Sequence, residues 1–154
     1  IIPKGNPKGI RGVRDLLRSD VSIVNRNKGA GTRFLLDSLL KRIAAEDGVQ
    51  FNDLVGRING YYYEVRTHTA VAAAVHQGKA DAGVGIRAAA HMYGLDFIPL
   101  SLERYDFAVP RSRLAKDSVK TFIEMLKSPD FQRELLRLPG YKVSEEIGTI
   151  LPLS

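Results

Sequence analysis

Val21 to Arg33, V-S-I-V-N-R-N-K-G-A-G-T-R, is the stretch from which the rest of the chain can be read. Val21, Ile23 and Val24 are apolar and β-branched, and they predict a short strand over about 21–25. Asn25 to Gly31 is a polar, glycine-bearing turn. From Thr32 to about residue 46 the apolar residues recur at helical spacing, with Phe34, Leu35, Leu39, Leu40 and Ile43 mostly on one face. Strand, loop and helix start in that order make a seat for an anion. The first amides of a helix have no partner within it, and the helix dipole adds partial positive charge there. Gly29 and Gly31 let the backbone bend closely around a ligand. Thr32 offers a hydroxyl, and Arg26, Lys28 and Arg33 offer cations. A plain turn between strand and helix, with Thr32 as the N-cap, is the alternative.

A second stretch resembles the first in layout. Thr67 to Val75, T-H-T-A-V-A-A-A-V, follows a predicted strand at Tyr61 to Val65 and opens a helix that Thr67 or Thr69 can cap. The alanines favour helix and allow close packing on a sheet. Gly78 closes it. Ala80 to Ile86 reads as a small-residue strand, and its glycines suggest a close backbone approach or a ligand at its end. A helix over Arg87 to Tyr93 ends at Gly94, and strands are expected at Leu95 to Leu100 and Tyr105 to Val109. Before the central stretch, Ile1 to Gly12 has too many prolines and glycines for a regular element, and Val13 to Leu17 can form one helical turn. A short helix is expected over Phe51 to Ile58. Ser118 to Leu126 and Pro129 to Leu138 are amphipathic helices, the second led by a Ser–Pro cap. The tail, Gly140 to Ser154, shows no clear period.

Alternating strands and helices from 21 to 100 indicate an α/β domain with a mostly parallel sheet flanked by helices. Ligands in such sheets lie outside the carboxyl ends of the strands. The loops before Thr32, before Thr67 and around Gly85 should all reach that edge, so three distant segments can converge on one anion.

Composition narrows the classes. At 154 residues the chain is long enough for one core. It contains no cysteine, which removes disulfides, thiolate metal sites and cysteine nucleophiles and agrees with a cytoplasmic location. No apolar run approaches the roughly 20 residues of a membrane span. No signal peptide is visible, and a start at Ile1 reads as a fragment or a processed form. The net charge of +6 comes from basic residues scattered among acids, which favours an anionic ligand over direct nucleic-acid binding.

The chemistry of the loops is restricted. G-A-G-T-R lacks the spacing of a phosphate-binding P-loop and the third glycine of a dinucleotide fingerprint. His68, His76 and His91 have no carboxylate partners at metal-ligand spacing, so neither a metal nor a cofactor is expected. His76 and His91 read as solvent-facing helix residues. His68 stands at a helix start on the ligand edge, where it can donate to an anion or satisfy a backbone carbonyl. Asp81 is expected to bind a backbone N–H or a nearby arginine. Ser22, Ser38 and Ser101 have no histidine near them in sequence, so no nucleophile and base can be assembled from spacing. Of Tyr61 to Tyr63, at least one should be core and one exposed.

Three blocks in order carry a family resemblance: N-R-N-K-G-A-G-T-R, E-V-R-T-H-T-A-V-A-A-A-V-H-Q-G-K-A-D-A-G-V-G-I and L-D-F-I-P-L-S-L-E-R-Y-D-F-A-V-P-R. They resemble the periplasmic-binding-protein-like, or LysR-substrate-binding-like, domain attached to MoeA-type molybdopterin-biosynthesis proteins and to some transcription regulators. The family pattern usually has Ser at Ala30. The resemblance implies a type 2 binding-protein fold, two α/β lobes around a cleft, within a single domain over 1–154. Residues 1–12 would connect from a first lobe that is largely missing, 13–100 would be the second lobe, and 101–154 would return to the first. The lobes would close about a hinge near 10–14 and 101–105. The implied ligand contacts are Asn25, Arg26, Gly29, Ala30, Gly31, Thr32, Thr67, His68, Gly85 and Tyr105.

The implied function is a sensor or carrier of a small oxyanion such as molybdate or tungstate, linked to molybdenum cofactor synthesis. The domain by itself is not expected to be an enzyme, though it can be attached to one. A second reading is the effector-binding domain of a regulator that recognises a small organic acid. A fused helix-turn-helix or MoeA-type domain and a homodimer are the partners this implies, with no membrane partner.

Overall fold

The computed structural model describes residues 1–152; of the tail read above, Leu153 and Ser154 lie outside the described residues. The chain divides into two compact units, 1–100 and 101–154.

The first unit is a three-layer α/β arrangement. β1 (Ile23–Arg26) is the middle strand, with β2 (Glu64–Val65) on one side and β3 (Ala82–Gly83) on the other, all parallel. Asn25 pairs with Glu64 and Arg26 with Val65; on the other side Ile23 pairs with Ala82 and Val24 with Gly83. The three strand ends therefore point to one edge. A 3-10 turn (Val13–Leu17) precedes β1, and α1 (Gly31–Glu46) and α2 (Phe51–Gly56) cross from β1 to β2. α3 (His68–His76) crosses from β2 to β3, and α4 (Arg87–Met92) follows β3.

Alternation along β1 sorts the core into two clusters, because successive side chains of a strand point to opposite faces. Ile23 packs with Leu16, Leu36, Leu40, Ile43, Leu54 and Val55 from the 3-10 turn, α1 and α2. Val24 packs with Val71, Ala72, Val75, Ala89 and Ala90 from α3 and α4. Leu36 and Leu40 are fully buried, and each removal from water is worth about 1.5–3 kcal/mol. Alanine on the second face keeps α3 and α4 close to the sheet.

The strands are shorter than the sequence predicts. In place of a strand from Tyr61, the backbone turns, with the Tyr63 N–H donating to Gly60 O, and only Glu64–Val65 are extended beside β1. The turn places Tyr61 in the core at 4% exposure, while Tyr62 and Tyr63 are exposed. The run at Ala80 to Ile86 contributes only Ala82–Gly83. Leu95 to Leu100 is not a strand; its single ladder contact is an antiparallel bridge from Asp96 to Ile2. Asp81 takes the backbone option, its carboxylate accepting from the Ser22 N–H and hydroxyl, both at 2.8 Å.

The second unit contains α5 (Asp117–Lys127) and α6 (Pro129–Arg137), with a 3-10 turn at Arg111–Arg113. Ser128 caps α6 by accepting from the Phe131 N–H, with Pro129 at the first helical position. The strand expected at Tyr105 to Val109 does not form. No neighbouring strand in this unit offers it a ladder, and its rings stack instead: Tyr105 on Phe107 at 5.4 Å and Phe107 on Phe122 at 4.9 Å.

Candidate functional site

The parallel sheet brings the three loops to one edge. β1 ends at Arg26 and leads through Asn27 to Ala30 into α1. β2 ends at Val65 and leads through Arg66 and Thr67 into α3. β3 ends at Gly83 and leads through Gly85 into α4. Gly29 has φ +88°, a left-handed conformation that glycine adopts without cost, and it turns the chain into α1.

The start of α1 is open. Ala30 is its N-cap, no side chain caps it, and no acid stands in its first turn. The Gly31 and Thr32 amides therefore keep their donors unpaired among the described residues. The alternative reading, Thr32 as N-cap, is set aside by this geometry, since Thr32 lies inside the helix. Its side chain is 8% exposed, and its Oγ1 is buried without a hydrogen-bond partner among the described residues. A concavity of about 360 Å³ opens beside this turn, lined by Lys28 to Gly31 with Arg33, Phe34 and Asp37.

The start of α3 differs. Thr67 caps it, its Oγ1 accepting from the Ala70 N–H at 3.0 Å and sharing a hydrogen bond with Thr69. His68, the first residue of the helix, is partly buried and meets Arg26 across the edge. Arg26 Nη1 lies 3.0 Å from His68 Nδ1, and its Nη2 donates to Arg66 O at 2.9 Å. Arg26 Nε is buried without a hydrogen-bond partner among the described residues. Gly85 completes this corner: a Cβ there would fall 2.7 Å from Ile1 Cδ1 and 3.6 Å from His68 Nδ1, so the close approach excludes a side chain.

The expected contacts therefore fall into groups. Gly29, Ala30, Gly31 and Thr32 form the open helix start. Arg26, Thr67, His68 and Gly85 form an adjoining corner. Asn25 supports both from beneath: fully buried, it donates from Nδ2 to Tyr61 O at 3.1 Å, and its Oδ1 accepts from the Arg26 N–H at 2.9 Å. Tyr105 belongs to the second unit, where it is exposed.

Arg33, read from sequence as an available cation, is not available. It is 4% exposed. Its Nε reaches both carboxylate oxygens of Asp37, at 2.9 and 3.0 Å, and its Nη1 donates to Glu64 Oε1 at 2.7 Å and to Arg26 O at 3.1 Å. The guanidinium lies 4.4 Å over the Tyr61 ring, whose hydroxyl donates to Asp37 at 2.8 Å. Burial, first, and the bond to Asp37 push the Tyr61 phenol above its ordinary range, against the opposing pull of Arg33. The Arg33–Asp37 pair has a sequence signal, its i,i+4 spacing. Glu64 has none, because β2 brings it there across the fold.

His76 and His91 are exposed, as read from sequence; the His76 ring lies 5.8 Å from that of Tyr93. Among the described residues no group of three or more His, Asp or Glu side chains could hold a metal, and no helix is long and apolar enough to cross a membrane.

A three-layer α/β unit with helix starts gathered at one sheet edge is the architecture of a ligand-binding domain. The chain belongs to the PBP superfamily, the periplasmic-binding-protein-like proteins, whose domain model matches residues 1–127. It is 43% identical over 141 residues to the protein named Uncharacterized protein YvgK of Bacillus subtilis (strain 168), which covers 92% of this chain and 42% of that protein. It is 36% identical over 89 residues to the Clostridium pasteurianum protein named Uncharacterized protein in ferredoxin 2Fe-2S gene 5'region, covering 57% of this chain and 79% of that one. The chain thus spans well under half the length of the Bacillus relative. No solved structure matches it significantly.

Proposed function

We propose that this chain is a small-ligand-binding domain, a sensor or carrier, that takes a small oxyanion such as molybdate or tungstate and serves molybdenum cofactor synthesis. The reading is carried by the first turn of α1. That turn combines uncapped amides with a buried Thr32 hydroxyl that has no partner among the described residues. A buried hydroxyl left unpaired costs about 1–3 kcal/mol, and an oxyanion accepting from it and from the Gly31 and Thr32 N–H groups would remove that cost. Arg26 supplies the positive charge, and Thr67 and His68 supply further polar groups at the adjoining corner. Membership of the PBP superfamily supports ligand binding as such; the choice of oxyanion rests on the donor set and on the sequence resemblance.

The test is a calorimetric titration with molybdate, tungstate, sulfate, phosphate and small carboxylates. Molybdate or tungstate should bind, and Arg26→Ala and Thr32→Val should each weaken that binding about tenfold or more. Binding of carboxylates alone would favour an effector-binding domain for an organic acid. Failure of every oxyanion would sink the reading.

A further inference from the structure

We infer that Arg26 and His68 form a proton-loaded pair that selects dianions over monoanions. The inference rests on the oxyanion reading above and adds to it the charge class of the ligand and a dependence on pH.

The geometry is asymmetric. A guanidinium has only donors. With Arg26 Nη1 at 3.0 Å, His68 Nδ1 must be the acceptor, so the imidazole is neutral and carries its proton on Nε2. A second proton on Nδ1 would set N–H against N–H and one cation against another. The surroundings offer that second charge no relief. The elements packed against α3 are β1, β3 and α4. β1 brings Arg26, β3 brings no charged residue, and α4 brings Arg87, whose guanidinium lies 5.4 Å over Phe97, and His91 in its last turn. The connection into α3 adds Arg66, and the first turn of α3 holds no acid. The nearest acid on β2, Glu64, is taken by Arg33.

An anion at this corner changes the balance. It can accept from Arg26, freeing Nδ1, and its charge offsets a second cation. One negative charge is matched by Arg26 alone. Two are matched by Arg26 together with a protonated His68. A dianion should therefore bind with uptake of one proton from solvent onto His68 Nδ1, and a monoanion should not. By linkage, dianion affinity then rises as pH falls through the range in which the bound complex holds the proton and the free protein does not.

The experiment titrates the 154-residue chain with sodium molybdate, sodium sulfate and sodium nitrate between pH 5.5 and 8. Each titration is run in two buffers of different protonation heat, which counts protons directly. Sulfate should bind with uptake of about one proton and gain up to about tenfold in affinity per pH unit lowered. Nitrate should bind more weakly and take up none. His68→Gln keeps an acceptor for Arg26 but cannot titrate, and its sulfate affinity should lose the pH slope. Sulfate binding without proton uptake, nitrate binding with the same uptake, or a slope that survives in H68Q each overturns the inference while leaving the oxyanion reading intact. Absence of binding by every oxyanion at every pH overturns both. The proton count on the unsubstituted chain decides the matter even if H68Q does not fold.

Discussion

Residues 1–100 and 101–152 use the same amino acids to different ends. In the first unit apolar side chains go inside, and two clusters fill the faces of a sheet. In the second, Leu126 is the one described apolar residue that is buried, at 9% exposure, while Leu102, Tyr105, Phe107, Leu136 and Ile150 are all more than half exposed. Yet α5 and α6 are well-formed amphipathic helices with a good cap between them. An apolar stripe specifies that a helix will bury a face, but stability comes only when something covers it. The first unit carries its own cover. The second unit gains little from its own packing and relies on local hydrogen bonds and on exposed ion pairs such as Arg104–Glu146, which are worth little each.

The largest test of this contrast is a matched pair of leucines. Leu36→Ala should destabilise the chain by about 2–5 kcal/mol, because Leu36 is completely enclosed. Leu136→Ala, 59% exposed, should change stability by less than about 0.5 kcal/mol. Equal losses in denaturant unfolding would break the contrast. Next comes the buried Arg33 group. Arg33→Ala leaves Asp37 and Glu64 facing one another without their cation and should cost about 2–4 kcal/mol. Because Arg33 also holds Arg26 O, the variant should lose ligand affinity with it.

Two caps of like chemistry give a finer comparison. Thr67→Ala removes the bond to Ala70 N–H and should cost about 1 kcal/mol of global stability. Ser128→Ala removes the bond to Phe131 N–H but should speed amide exchange within α6 alone, leaving the main unfolding midpoint where it was. A shift of that midpoint by both variants would mean that the units unfold together.

The smallest effect is on the alkaline side. Tyr61 has its phenol raised, so the protonated form is the one the fold favours. Its contribution is intact below the ordinary phenol range, about pH 10, and is lost as pH rises through the raised folded value. Absorbance titration of the six tyrosines should show one ionising late, in step with unfolding. Tyr61→Phe should remove that late step, and its persistence in the variant would assign it elsewhere.

Much of this was legible in the residues. Val21 to Arg33 is strand, loop and helix as read, Thr67 caps α3, Ser128 and Pro129 open α6, and Gly48 follows α1 with φ +65°. Each rests on interactions within about four residues, which a short stretch of sequence contains in full. Strand lengths were less legible. Tyr61 has strand chemistry, but the Asn59–Gly60 turn and its bond to Asp37 draw it into the core.

What the sequence by itself determined was local: where the chain extends, turns and begins a helix, and that three helix starts follow three strand ends. Only the tertiary structure decided which charges are spoken for. Three arginines and a lysine stand along the first two informative stretches and look equivalent in sequence. The fold buries Arg33 between Asp37 and Glu64, ties Arg26 to His68, and leaves Lys28 and Arg66 exposed. The physical reason is that a charge is disposed of by whatever lies within a few ångströms, and β2 brings Glu64 and the start of α3 to β1 from about forty residues away.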